Sequence, residues 1–158
     1  MANVEHKSGS KGQVKKSRSG KATPRIVVVR QAGADHQVVT VVGGKGTYRR
    51  TPCVTCPWKV SSTGEFPAEA FRHSAGTAYD MSEHTFACHA SGTNRPSLCA
   101  GFLLRGADHN LAIRLKRMEG EIRDDVTDGG EEMFENYRQM AVANGVDPSD
   151  VVLRDCRD

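Results

Sequence analysis

Five cysteines punctuate this 158-residue chain, and four of them fall in the order C-x2-C-x31-C-H-x9-C: Cys53, Cys56, Cys88 and Cys99. They occupy a 47-residue window, and Cys156 stands alone near the end. A C-x2-C turn brings two sulfurs round to one side, where a metal offsets the repulsion between two thiolates. Tetrahedral zinc takes four such ligands, and so does a cubane iron–sulfur cluster. The spacing predicts a metal centre on Cys53, Cys56, Cys88 and Cys99, with zinc favoured over [4Fe-4S]. His89, beside Cys88, is either a replacement ligand or an outer hydrogen-bond partner to sulfur. Pro57 and Trp58, directly after the C-x2-C, are candidates to shield a cluster from water.

Other chemistries fit less well. A thiol–disulfide pair at Cys53 and Cys56 belongs after a strand in a βαβ unit, and no such pattern surrounds it. Zinc deaminases carry H-x-E upstream of P-C-x-x-C; here Pro52-Cys53-x-x-Cys56 has no H-x-E before it. His84 and His89 are five residues apart, not the i, i+4 spacing of H-E-x-x-H. "GGKGTY" at residues 43–48 lacks the spacing of a phosphate loop and reads as a turn. With four protein ligands no coordination position stays open, so the centre reads as structural and the protein as a non-enzyme.

The elements that must position these cysteines read as a small α+β domain. "RIVVVRQ" and "QVVTVV" are β-branched runs separated by a Gly-containing loop, which predicts an N-terminal β-hairpin. The middle, around the cysteines, is irregular. "FPAEAFRHSA" predicts a short helix opened by Pro67, and "SLCAGFLLRG" one or two helical turns. "NLAIRLKRMEGEI" predicts a helix capped by Asp108 or Asn110, with Leu111, Leu115 and Met118 as its apolar stripe. "DGGEEMFENYRQMAVANG" predicts a longer helix with acidic residues in its first turn, a stripe of Met133, Tyr137, Met140 and Ala141, and Gly145 after its end. Asp147-Pro148 suggests one more short helix.

Charge divides the chain. Residues 1–52 hold 11 Lys/Arg against Glu5 and Asp35, a net of +9, while residues 53–158 hold 11 against 17 acids, a net of −6. Residues 1–24 have too little apolar content to offset ordering entropy and read as a disordered basic tail; residues 25–158 read as a single metal-binding domain. Lys7, Lys11, Lys15, Lys16, Arg18, Lys21 and Arg25 are candidate contacts to nucleic acid phosphates, and with no interleaved aromatics such binding is sequence-independent. No apolar run is long enough to span a membrane, and no apolar segment follows the first basic residues as in a secretory signal. The expectation is a cytoplasmic protein.

The segments "PCVTCPWK", "FACHASG", "LCAGFLL" and "NLAIRL", in that order, resemble a family of small proteins of unknown function carried by bacteriophages, prophages and their hosts. The resemblance covers roughly residues 50–117. It implies a phage or mobile-element origin, hence the host cytoplasm, supports the four cysteines as one set, and implies no established activity. A weaker likeness is to WhiB-type iron–sulfur regulators, which also use four cysteines including a C-x2-C. Their C-x2-C is central, whereas here it comes first, so their ligand roles are not carried over. The function expected is that of a non-enzymatic, metal-binding accessory or regulatory protein that docks on a host protein or nucleoprotein complex. A redox-active iron–sulfur sensor or electron carrier, and a sequence-independent nucleic-acid binder acting through the basic arm, are the alternatives.

Overall fold

The computed structural model describes residues 23–43 and 46–158, so residues 1–22 of the expected disordered tail, with its six candidate basic residues from Lys7 to Lys21, lie outside the described residues. Strand β1 (Arg25–Gln31) pairs antiparallel with β2 (Gln37–Val42), and the register slips between Ile26 and Val28. This is the hairpin that the β-branched runs predict. Arg25, the last candidate phosphate contact, lies on it, exposed. The hairpin touches the rest of the chain at its turn end, where His73 Nε2 lies 3.1 Å from the Gln31 carbonyl and the rings of His36 and Phe66 meet edge to face.

A second sheet is minimal. Strand β3 (Thr47–Tyr48) runs parallel to β4 (Ser97–Leu98), and Ala87 bridges Leu98 from the other side. Helices α1 (Ala68–Ser74), α2 (Ala100–Arg105), α3 (Leu111–Met118) and α4 (Tyr137–Ala143) complete the described elements, so the fold is α+β. Among the described residues no helix is long and apolar enough to cross a membrane.

The core is assembled on Trp58, which is fully buried. Phe86, Phe102 and Tyr137 ring it with centroids 6.0, 6.3 and 5.9 Å away. Gly101 and Gly106 on and just after α2 leave the indole its seat. A Cβ at Gly101 would fall 2.5 Å from the Trp58 Cβ, and one at Gly106 would fall 2.9 Å from Cζ2.

Three helices differ from the sequence expectations. The α3 cap is Asn110, whose Oδ1 accepts from the Ile113 N–H at 3.1 Å. Its Nδ2 donates to the carbonyls of Thr77 and His84 at 3.2 and 2.7 Å. These bonds draw the cap into the interior and turn Ile113 inward with it, so Leu115 and Met118 stay exposed instead of forming the buried stripe. The expected long helix shrinks to α4. Its stripe of Met133, Tyr137, Met140 and Ala141 is buried, but Met133 sits in a β-bridge to Lys59 rather than in a helical turn. Gly129 and Gly130 take positive φ, and Asn136 caps α4 by accepting from the Gln139 N–H at 2.8 Å, so the acidic run never enters the helix. The last short helix is a 3-10 turn over Val151–Leu153, capped by Asp150 and not by Asp147-Pro148.

Candidate metal centre

The mini-sheet explains how cysteines far apart in sequence come together. Residues 86–88 and 97–99 are tied back to back by Cys88 N–H to the Ser97 carbonyl (2.7 Å) and Cys99 N–H to the Phe86 carbonyl (3.0 Å). That places Cys88 beside Cys99. Strand β3 lies along the other edge of β4, with Arg49 N–H on the Leu98 carbonyl at 3.0 Å, and carries the chain straight on to Cys53. The C-x2-C turn is closed by Cys56 N–H to the Cys53 carbonyl at 3.1 Å. Lys59, buried although a lysine, pins it: Nζ donates to the Val54 carbonyl at 3.0 Å and to Glu131 at 2.9 Å. Nothing in the sequence pattern singled out Lys59; its place one residue after the only tryptophan was the available signal.

All four thiols are buried and none is in a disulfide. The Sγ atoms of Cys56 and Cys99 are 3.6 Å apart. Among the neighbouring sulfurs Cys53 feels Cys88 before Cys56, and Cys99 feels Cys56 before Cys88, so the thiols influence one another electrostatically. Burial, then the neighbouring sulfurs, push the Cys53 thiol up to about 12. Cys56 is drawn down, because the Cys99 thiol and the backbone N–H groups of Trp58 and Gly101 all favour its anion. Cys99 is pushed up in return, by its bond to Cys56 and by burial. Four thiols crowded out of water resist shedding their protons together, and a divalent cation is what relieves that repulsion.

The donor set fits such an ion in kind, and one pair has the spacing. Tetrahedral zinc with Zn–S bonds of 2.3 Å sets its sulfurs about 3.8 Å apart, close to the separation of Cys56 and Cys99. A cubane cluster holds its four thiolates on separate iron corners and so spreads them more widely. Among the described residues no three Cys, His, Asp or Glu side chains already form a cage round one point. All four thiols belong to one buried core cluster, and Cys56 and Cys99 are the pair in direct contact.

His89 sits outside this set. Its Nδ1 is 3.9 Å from the Cys53 Sγ, its Nε2 is 2.9 Å from the Thr55 hydroxyl, and the ring of Phe66 lies edge-on at 5.1 Å. Burial first and the Arg49 charge second hold the imidazole below its ordinary pKa, hence neutral. Pro57 and Trp58, which follow Cys56 in sequence, are both buried. The indole Nε1 is buried without a hydrogen-bond partner. Cys156 keeps to itself: it lies against the carbonyls of Ala75 and Val152 at 3.9 Å, and burial pushes it up to about 11, as befits a packing thiol.

The arrangement defines a small α+β domain folded round four buried thiols. Residues 48–157 match the model of a family described as "Family of unknown function (DUF6283)", and the chain belongs to that family. The matched region includes α3 and α4, so it reaches well beyond the four motifs in which the sequence resemblance was read. No curated protein and no solved structure matches the chain.

Proposed function

We propose that the chain is a non-enzymatic, zinc-stapled accessory domain whose centre is Cys53, Cys56, Cys88 and Cys99. The observation that carries this reading is that four buried, unbridged thiols from three separate segments belong to one core cluster, with one pair at 3.6 Å. Zinc there ties the C-x2-C turn to the β4–α2 junction and the 86–88 segment. With all four positions taken by protein, it has no open site for a substrate, and its work is cohesion. The test is elemental analysis and absorption of protein purified without oxygen. One zinc per chain in a colourless sample supports the reading. A brown sample with iron and acid-labile sulfide replaces it with the iron–sulfur reading, and no metal overturns both.

The same proposal assigns the domain a regulatory role of phage or prophage type, docking on a host protein or nucleoprotein complex in the host cytoplasm. The charge division supports it: a +9 segment of residues 1–52 ahead of a −6 body. If the basic segment binds duplex DNA, the affinity falls steeply with salt and vanishes when residues 1–24 are removed. Unchanged binding by the shortened chain refutes that part.

A further inference from the structure

The two halves of the thiol cluster are held differently. Cys56 and Cys99 are the deep half, at 0% and 2% exposure. Their Sγ atoms are in contact at 3.6 Å, and Cys99 directly precedes α2 as its N-cap residue. Cys53 is the most exposed of the four, at 7%, and its C-x2-C neighbours Val54 and Thr55 face solvent. Its support is a side chain, the imidazole of His89.

That imidazole is itself oriented from two directions. The edge-on ring of Phe66 fixes its plane, and the Thr55 hydroxyl sits 2.9 Å from Nε2. The other ring nitrogen, Nδ1, faces the Cys53 sulfur at 3.9 Å, and when Nε2 accepts from the hydroxyl it is Nδ1 that carries hydrogen towards that sulfur.

We propose that Thr55, His89 and Cys53 form a hydrogen-bonded chain on the solvent side of the centre, in which His89 is an outer partner to the Cys53 sulfur and Cys53 is the exchangeable corner through which the metal enters and leaves. This rests on the reading of the four thiols as a metal centre, and it adds to that reading a direction of access and a role for a residue outside the ligand set. Outer partners of this kind hold a ligand in its binding orientation, and losing one typically weakens metal affinity by about 10–100-fold.

The experiment uses the full chain loaded with zinc, and in parallel with cobalt(II), whose visible bands report the number of sulfur ligands. Zinc release to a chromogenic chelator is timed for the wild type, His89→Ala, His89→Asn and Thr55→Val. The expected result is release faster by about 10–100-fold in His89→Ala, a smaller change in Thr55→Val, and partial recovery in His89→Asn, whose amide N–H replaces Nδ1–H. The cobalt bands of all these variants stay those of a four-sulfur site. Bands that shift in His89→Ala make His89 a ligand and overturn the proposal while leaving the metal centre standing; unchanged release rates overturn it too. A wild-type chain that takes up neither metal brings down the metal centre itself. Cys53→Ser is expected to retain cobalt with a three-sulfur spectrum, whereas Cys56→Ser loses it. Equal loss in both refutes the exchangeable corner.

Discussion

Adding one methyl group at Gly101 tests whether the tryptophan packed in the core with the four buried thiols is as tightly seated as the geometry requires. The position has no positive φ, so alanine there gains the usual helix advantage over glycine of about 0.5–1 kcal/mol. Against that, the new Cβ falls 2.5 Å from the Trp58 Cβ and 2.7 Å from Cγ. Carbon atoms in comfortable contact are about 3.5–4.0 Å apart, so something must move by about 1 Å. The indole cannot slide along the helix, because Gly106 closes the far end of its seat, and Phe86 and Tyr137 meet it edge to face. The remaining response is for α2 to back away, and α2 starts directly after Cys99, its N-cap residue. Burying a residue of Trp58's size is worth about 4–6 kcal/mol, so overpacking its seat draws on a large contribution.

Overpacking of a filled core costs about 1–3 kcal/mol, more than the helix advantage returns. We expect Gly101→Ala to destabilise by about 2 kcal/mol, which for a chain of this size lowers Tm by about 4–8 °C. The assay is thermal unfolding of the zinc-loaded chain, followed by circular dichroism and by the fluorescence of the single tryptophan, at one fixed free zinc concentration. Gly76→Ala is the control: its φ is not positive and a Cβ there meets only the Tyr79 ring at 4.0 Å, so it is expected to be neutral or mildly stabilising. A Gly101→Ala protein as stable as the wild type refutes the seat.

Three further outcomes are expected. Cys99→Ser removes a thiol that is 2% exposed and supported by the Phe102 N–H; the variant should bind no zinc and lose its cooperative unfolding transition, and unchanged zinc stoichiometry would exclude Cys99 as a ligand. Asn110→Ala removes the α3 cap and leaves the Thr77 and His84 carbonyls unpaired, a cost of about 2–4 kcal/mol read from the urea midpoint. Asn110→Asp should not rescue it, since a carboxylate cannot donate to those two carbonyls. Asp125 is held below its ordinary pKa by the Tyr48 hydroxyl first and by Arg50 second, so its contribution to stability is present above the unfolded-state value and disappears as pH falls through the lower folded value. An NMR titration of its carboxyl should show the depressed midpoint, and Tyr48→Phe should bring it back towards the ordinary range.

What the sequence revealed and what it hid follow from how local each feature is. The β1–β2 hairpin is written in seven- and six-residue β-branched runs, and the run lengths are the strand lengths. The apolar stripe of α4 is equally local and is buried as expected, yet the helix start was misplaced, because the Gly129-Gly130 bend and the Asn136 cap outweigh a favourable acidic run. The stripe on α3 failed for a non-local reason: the orientation of that helix is decided by what Asn110 bonds, and its partners Thr77 and His84 lie 33 and 26 residues away. The cysteine set was legible as a list of types and spacings. Its assembly was not, since the element that gathers it is a two-residue parallel ladder between β3 and β4, too short to leave any periodic trace. Thr55 was invisible for a related reason. A hydroxyl inside a C-x2-C has no sequence signature as a partner for histidine, and only the closure of 86–88 onto 97–99 brings His89 within 2.9 Å of it. Glycines 101 and 106 make the same point from the other side: a spacing of five on a short helix means little until Trp58 lies across both, and then neither tolerates a side chain. The residues that hold the centre are therefore a larger set than the residues that would bind the ion, and the difference between the two sets is made by long-range contacts.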